Sequence, residues 1–224
     1  MSSSLINTIT ELLFVIPCVL IALSVHEAAH GWMAWKLGDP TARNMGRLSL
    51  NPLRHLDPLG TLCMIFFHFG WARPVPINTR YFKHNRRDTA LTALAGPLSN
   101  ILLAFLGTLL FHIAYTVGTR VGITSEFGYN VFRAALTLFG YFRSLNLSLA
   151  VFNLIPVPPL DGSRIFLVWL PPKYYFGVMK YERYIQLGLM ILLWTGILSL
   201  PLSPAVSAIA SGMDWLVELL PFLS

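Results

Sequence analysis

The amino-acid sequence predicts an all-α, polytopic membrane protein, and three observations support this fold class. Hydrophobic residues make up 55% of the 224 residues and charged residues only 12%, whereas a soluble domain carries about 25% charged residues. Apolar runs long enough to cross a bilayer alternate with polar segments. The basic residues behind the net charge of +6 lie mostly in those polar segments. This distribution is typical of cytoplasmic loops and does not favour nucleic-acid binding.

Four or five transmembrane helices in a single domain, residues 1–224, account for these runs. The predicted spans are residues 5–37, 88–117, 145–160 and 184–200. The first is longer than the ~30 Å hydrocarbon core at ~1.5 Å per residue, so one end must project from the membrane. Residues 205–220 predict a further helix of uncertain placement, whose Asp214 and Glu218 are four residues apart, as on a solvated face.

A re-entrant segment and short strands at the membrane edge complete the predicted fold. Residues 59–71 are apolar but fewer than the ~17 needed to span a bilayer. They separate two basic loops, residues 38–58 and 72–88, which lie on one side of the membrane only if the segment dips in and returns. Within these loops, residues 47–50 and 74–77 have the alternating or extended pattern of short β-strands.

The basic loops also predict the orientation. Placing them in the cytoplasm, together with residues 171–183, makes the first span run from outside to inside. Counting spans then puts His26, His30 and Asp161 toward the cytoplasmic half of the membrane. We therefore expect a multi-pass protein of the cell (inner) membrane with its active site toward the cytoplasm.

The first span contains the pattern H-E-x-x-H at His26, Glu27 and His30. On a helix the two histidines project from one face, one turn apart, where their imidazoles can bind one Zn²⁺. Glu27 is then placed to act as a general base. An acidic side chain at the centre of a membrane helix costs roughly 2.5–3.5 kcal/mol, which favours a functional role. The alternative is structural: histidines hydrogen-bonded to neighbouring helices, with Glu27 kept neutral.

Asp161 is the strongest third ligand that the sequence offers. It follows another span at the same predicted depth and precedes Gly162, where a bend of the backbone could aim its carboxylate. Glu182 and Asp57 are alternatives in polar loops, and a helix-capping role for Asp161 is a further alternative.

Two other features point to the same region. Pro156 and Pro158 lie in a proline-rich stretch that breaks the helix before Asp161. Broken backbone at membrane depth is tolerated where it is buried in protein or lines a cavity. Asn100 lies in apolar surroundings and needs a polar partner, so we expect it to face the site.

The motifs H-E-A-A-H and N-L-I-P-V-P-P-L-D-G together resemble the site-2 protease family of intramembrane zinc metalloproteases. The stretches G-D-P-T-A, N-P-L-R-H-L-D-P-L-G and A-L-A-G-P-L-S-N are similar to its compact bacterial and archaeal branch, which lacks a PDZ domain. The resemblance implies one zinc ion per chain, held by His26, His30 and Asp161, with Glu27 as catalytic base. It also implies that Asn153 assists the substrate or the oxyanion, and that about three helices surround the metal.

The implied function is regulated intramembrane proteolysis by a zinc-dependent endopeptidase, with a transmembrane protein as substrate and the lipid bilayer as surroundings. The substrate helix must unwind locally, and residues 72–80 and 156–159 are places where an extended segment could pair. The alternatives make other demands. A di-iron hydroxylase needs several histidine clusters, a metal transporter needs ligands along a whole pathway, and a non-catalytic metal-binding membrane protein would tolerate loss of Glu27.

Overall fold

The computed structural model describes residues 3–57, 60, 63 and 72–221, most of which are helical. Three long helices dominate: α1 (Ser3–Lys36), α3 (Asn85–Val121) and α4 (Glu126–Asn153). The shorter helices are α2 (Thr41–Asn44), α5 (Asp161–Phe166), α6 (Pro172–Met179), α7 (Glu182–Trp194) and α8 (Ser199–Glu218). Single 3₁₀ turns occur at Pro52–Arg54, Thr79–Tyr81 and Leu167–Trp169.

Among the described residues, three helices are long and apolar enough to cross a membrane. They are Ile9–Lys36, Asn85–Val121 and Glu126–Asn153, of 28, 37 and 28 residues. Large apolar side chains such as Leu13 and Leu102 are exposed on their outer faces, as expected for helices surrounded by lipid. The predicted helical membrane protein is therefore confirmed, with three candidate spanning helices in the described part of the chain.

The helix ends follow from local chemistry. Gly38 ends α1 with φ 110°, a conformation that favours glycine. The Asp39 N–H then donates to the Ala34 carbonyl at 2.9 Å, which satisfies one of the last carbonyls of the helix. At the start of α4, the Ser125 hydroxyl oxygen accepts a hydrogen bond from the Gly128 N–H at 3.1 Å and caps the helix.

Helix α3 lies at the centre of the bundle. It packs against α1 on one side and against α4 on another, and α5 also contacts it. Gly107 allows the close approach to α4, because a Cβ at that position would lie 3.1 Å from the Arg143 backbone nitrogen. Helix α8 packs on α3 and α4 through a small core of Ala104, Leu147 and Met213.

Two predicted spans differ from the structure. The span predicted at residues 145–160 is wrong at both ends, because α4 begins at Glu126 and ends at Asn153. The stretch predicted to span at 184–200 is divided: α7 ends at Trp194, and Gly196 with φ 71° lies in the turn before α8. The 13 residues of α7 are fewer than the ~17 that a spanning helix needs.

The predicted strands do not form. Residues 47–50 and 74–77 have no regular secondary structure, and the isolated antiparallel bridge between Leu56 and Ala72 is the only pairing of extended backbone in the described part of the chain. The alternation of polar and apolar residues at 47–50 does not mark a buried and an exposed face, since Arg47 is buried and Leu50 is exposed. The re-entrant segment predicted at 59–71 lies outside the described residues except for Gly60 and Cys63.

The C-terminal helix is present as α8, but the solvated face predicted for it is wrong at Asp214. The Arg143 guanidinium donates to both carboxylate oxygens of Asp214, at 2.7 Å each, and His112 Nε2 lies 3.1 Å from the same carboxylate. A pair of acids four residues apart does not reveal that one of them pairs with a neighbouring helix. Glu218, in contrast, is exposed.

Candidate metal centre

Three side chains from two distant parts of the chain meet at one point. His26 and His30 project from one face of α1, and Asp161 is the first residue of α5. The two Nε2 atoms are 3.0 Å apart, and Asp161 Oδ2 lies 3.1 Å from His26 Nε2 and 3.2 Å from His30 Nε2. Within the described residues, these three form the only His, Cys, Asp and Glu group arranged to hold a metal ion. Glu182 and Asp57 do not belong to it.

The hydrogen bonds of His30 determine which of its nitrogens can bind a metal. His30 Nδ1 lies 2.7 Å from the Thr92 carbonyl oxygen. A carbonyl can only accept, so Nδ1 carries the proton and Nε2 of the neutral ring presents a lone pair. The ring is therefore held in the tautomer that a metal ligand requires.

A side chain fixes His26 in the same way. Asn100 donates through Nδ2 to the Ala22 carbonyl at 3.2 Å and to Asn146 Oδ1 at 2.8 Å. Its Oδ1 is therefore the acceptor, and His26 Nδ1, 2.6 Å away, is the donor. Asn146 in turn donates to the Phe142 carbonyl at 2.8 Å. This buried chain of amides connects α1, α3 and α4 and, in the neutral ring of His26, leaves the lone pair on Nε2.

The three convergent atoms fit a zinc ion. Two imidazole lone pairs and a carboxylate oxygen repel one another at this separation unless a cation lies between them. Asp161 Oδ2 is buried and has no hydrogen-bond partner among the described residues, which is costly for a carboxylate that binds nothing. Ligand atoms about 2.0–2.1 Å from a tetrahedral zinc lie about 3.3 Å apart, close to the spacing found here.

Gly96 of α3 makes room for the histidine pair. A Cβ at this position would lie 2.4 Å from His30 Nε2 and 2.7 Å from His26 Cε1. The helix passes so close to the rings that only glycine fits. The small residues of A-L-A-G-P-L-S-N predict close helix contact in general, but they do not single out Gly96 as the floor of the metal centre.

Glu27 lies in the wall of a cavity of about 440 Å³, which both histidines and Asp161 also line. Its Oε2 accepts a hydrogen bond from the Val75 N–H at 2.8 Å. Val75 belongs to the extended stretch at the start of the second basic loop, residues 73–78, so a backbone donor far along the chain orients the carboxylate. No sequence motif predicts this contact, because any residue other than proline supplies the same N–H.

Arg47 holds that extended stretch in place. The buried guanidinium donates through Nη2 to the Arg73 carbonyl at 2.6 Å and to the Pro74 carbonyl at 3.2 Å, and through Nη1 to the Arg54 carbonyl. Burial lowers the pKa of Arg47, and the neighbouring Arg73 lowers it further. An arginine keeps its charge despite such a shift. Arg47 therefore remains a cation next to the segment that contacts Glu27.

Asn153, for which the sequence predicts a role at the substrate, also lies in the cavity wall. It is half-buried near the end of α4, and its Nδ2 donates to the Leu149 carbonyl at 2.9 Å. An amide nitrogen has a second hydrogen, so this bond leaves one donor for a ligand.

The other sequence-predicted residues play supporting roles. Asn100 is buried behind His26 and does not line the cavity. Gly162 packs on the turn after α4, where a Cβ would lie 2.3 Å from the Leu154 carbonyl oxygen, so glycine is needed to place Asp161. Pro156 is exposed and Pro158 is buried, whereas Pro159 lies in the cavity wall.

Residues that sequence reasoning did not assign to the site also line the cavity. Arg164 and Gln186 add polar groups from α5 and α7, next to Glu182, which the sequence offered only as an alternative ligand. Apolar side chains form much of the remaining wall, among them Leu23, Ile77, Leu149 and Phe152. An apolar lining with a few convergent polar groups is typical of a binding or active site.

Comparisons with known proteins agree on one family. Residues 14–195 match the family described as Peptidase family M50. The chain is 37% identical over 206 residues to the Bacillus subtilis protein named "Putative zinc metalloprotease YwhC", covering 92% of this chain and 90% of the relative. It is 31% identical over 152 residues to "Putative zinc metalloprotease Rip2" of Mycolicibacterium smegmatis, covering 64% of this chain and 52% of that relative. No solved structure matches the chain.

Proposed function

The chain belongs to peptidase family M50, and we propose that His26, His30 and Asp161 hold the zinc ion of this zinc-dependent intramembrane protease. The observation that carries the assignment is the convergence of three ligand atoms at 3.0–3.2 Å, with both histidine Nδ1 atoms already bonded elsewhere. The family match confirms the resemblance to the site-2 protease family. A transporter is not favoured, because the described residues contain one such ligand group and not a series along a pathway.

Zinc in such a site acts as a Lewis acid on the scissile carbonyl and makes water nucleophilic at neutral pH. The protein's own residues supply the proton transfers. Glu27 accepts a proton from the attacking water and delivers it to the leaving amine nitrogen as the C–N bond breaks. The Val75 N–H occupies Oε2, so Oε1 is the oxygen available for that proton.

Asn153 is proposed to stabilise the oxyanion that develops on the scissile carbonyl. Its second Nδ2 hydrogen is available at the cavity wall, whereas the first is bonded to the Leu149 carbonyl. A positioned donor of this kind contributes roughly 3–4 kcal/mol in other enzymes. The Leu149 bond supports the role, since it fixes the amide in one orientation before the substrate arrives.

The proposed substrate is a transmembrane helix that unwinds locally at the cavity. Residues 73–78 have no regular secondary structure, and the residues before Pro74 and Pro76 favour extended backbone. The two prolines also lack the N–H needed for a helix or a continuous sheet. Ile77 lies in the cavity wall and makes no backbone hydrogen bond with a described residue. These groups could pair with the backbone of an unwound segment, which supports residues 72–80 as the place of substrate pairing.

We further propose that the protein resides in the cell (inner) membrane with the metal centre toward the cytoplasm. The long basic loops flank α1 and α3 on the side where residues 39–57 and 72–84 lie, and basic loops favour the cytoplasmic side. The metal centre is nearer that side, because His30 is close to the C-terminal end of α1 at Lys36.

The function is tested with two variants of the full-length protein in membranes. Glu27→Gln removes the base and leaves the ligands intact, so we expect cleavage of a membrane-spanning reporter to be abolished while bound zinc stays near one per chain. Asp161→Ala removes a ligand, and we expect zinc content to fall as well. Full activity of the Glu27→Gln protein would sink the mechanism. An unchanged zinc content in the Asp161→Ala protein would show that Asp161 is a structural residue and not a ligand.

A further inference from the structure

A second cavity, of about 350 Å³, lies between the loop that follows α2 and the start of the extended stretch. Its wall is dominated by guanidinium groups, and it is separate from the metal centre, with no lining residue in common. The residues that line it are Met45, Gly46, Arg47, Leu53, Arg54 and Arg73.

None of the described residues that line this cavity carries a carboxylate. Residues 40–87 contain eight lysines and arginines but only one acid, Asp57, and Asp57 Oδ1 accepts from the Gly60 N–H. Arg47 is only 9% exposed, and its Nε is buried without an acceptor in the described part of the chain. The Arg73 side chain is exposed and donates to no described residue. Cations grouped in this way repel one another, so an anion bound among them would be stabilised.

The surroundings of the cavity place it at the membrane surface. At the end of α1, the Lys36 ammonium lies 5.2 Å from the centre of the Trp35 ring, and the Arg43 guanidinium lies 5.0 Å from that ring. Tryptophan together with basic residues at the end of a spanning helix marks the membrane–water interface. The rim of the cavity is apolar and exposed, with Met45 62% and Leu53 76% accessible.

We propose that Arg47, Arg54 and Arg73 bind the phosphate group of an anionic phospholipid, whose acyl chains lie against Met45 and Leu53. A free phosphate ion would satisfy the guanidinium groups but would leave the apolar rim exposed to water. A phospholipid satisfies both, because it carries the phosphate and the hydrocarbon in one molecule. The binding site rests on the protein's location in a membrane and not on its peptidase activity.

The site lies next to the backbone that orients the catalytic base. Arg47 donates to the carbonyls of Arg73 and Pro74, and the following residue, Val75, donates to Glu27. A phosphate bound by the Arg73 side chain therefore contacts a segment whose backbone is hydrogen-bonded to both Arg47 and Glu27. The lipid would reinforce the extended stretch at one end of the active-site cavity.

The test measures lipid retention by native mass spectrometry, with the full-length Glu27→Gln protein released from vesicles of phosphatidylglycerol or of phosphatidylcholine. The inactive background separates lipid binding from turnover, so a failure of the proposed peptidase mechanism cannot alter the result. Arg73→Gln is the main variant, because its side chain bonds to no described residue and its loss should not disturb the fold. The Arg54→Gln/Arg73→Gln protein tests the pair. Arg80→Gln/Arg86→Gln is the matched control, since it removes two exposed charges from the same basic region outside the cavity.

We expect the parent protein to retain one phosphatidylglycerol and no phosphatidylcholine. Each lost guanidinium–phosphate contact should reduce retention roughly tenfold or more, whereas a surface charge outside the cavity changes it only about fivefold or less. Equal losses in the control and in the Arg54→Gln/Arg73→Gln protein would overturn the site in favour of diffuse attraction. Displacement of the lipid by an equimolar amount of inorganic phosphate would overturn the lipid as the ligand, as would equal retention of the two lipids.

Discussion

Single residues decide whether the two histidines present lone pairs to a metal. The acceptor for His30 is a backbone carbonyl, that of Thr92, which survives any substitution that preserves α3. The acceptor for His26 is the side chain of Asn100, which can be removed. The metal centre therefore has one orienting contact built into the helix and one that depends on a single amide.

Substitution of that amide should weaken zinc binding without touching a ligand. In Asn100→Leu, His26 loses the acceptor that fixes its tautomer and ring orientation. Loss of such an outer-shell partner typically costs about 10–100-fold in metal affinity. We expect a weakening of this size in the zinc dissociation constant, measured by competition with a chelator of known affinity.

Thr108→Val provides the matched control for Asn100→Leu. Thr108 is equally buried on the same helix, but its hydroxyl donates to the Ala104 carbonyl, away from the metal centre. This variant should lose some stability and keep the zinc affinity of the parent. If both variants bind zinc within about twofold of the parent, where a lost outer-shell partner should cost about 10-fold or more, Asn100 is not a positioning residue for His26.

At the scale of helices, α8 is attached to the bundle through one acidic side chain, that of Asp214, and a small apolar core. Asp214 receives two hydrogen bonds from Arg143 of α4 and lies 3.1 Å from His112 of α3. Met213, one residue earlier, packs on Ala104 and Leu147. The contacts join α8 to both neighbouring spans at the same level.

Asp214→Asn should destabilise the protein more than an ordinary surface change. It leaves the Arg143 charge unpaired in apolar surroundings, which costs roughly 3 kcal/mol for a buried pair. The Asp214 side chain is 32% exposed, so this is an upper value. We expect the melting temperature in detergent to fall by on the order of 5 °C, while the zinc affinity is unchanged because the metal ligands lie elsewhere.

The double variant Arg143→Met/Asp214→Leu distinguishes a lost attraction from an unpaired charge. Replacing both partners with apolar residues removes the uncompensated cation, so part of the lost stability should return. Glu218→Gln, in the exposed acid one turn further along α8, should leave the melting temperature unchanged. A double variant less stable than Asp214→Asn would show that the ion pair itself holds α8 in place.

The same polar contacts explain why hydropathy located two of the spans and misplaced the third. Helices α1 and α3 are apolar over most of their length, and the predicted spans 5–37 and 88–117 fall within a few residues of them. Helix α4 contains Arg143 and Asn146, whose polarity interrupts the apolar pattern at the place where the span was predicted to begin. Both side chains are paired inside the bundle, with Asp214 and Asn100, so the helix continues through them.

At the scale of the whole molecule, the sequence predicted which three side chains converge, but not most of the contacts that place them. His26, His30 and Asp161 follow from a helical spacing and from a proline-broken second motif, both of which are local in sequence. The Val75 contact to Glu27 and the glycine floor at Gly96 depend on long-range backbone approach. Such contacts leave little trace in residue type, because a backbone donor is common to nearly all residues.

A zinc ion held as proposed by His26, His30 and Asp161 would join α1 to α5, so its removal should destabilise the whole protein. A ligand that binds the folded state alone stabilises it by about 4 kcal/mol at about 1,000 times its dissociation constant. We therefore expect a chelator to lower the melting temperature of the full-length protein in detergent by on the order of 10 °C, and added zinc to restore it. The Asp161→Ala protein, which lacks one ligand, should melt at a temperature that neither treatment changes by more than a small part of this shift. An equal shift in both proteins would mean that the chelator removes a metal bound somewhere other than at His26, His30 and Asp161.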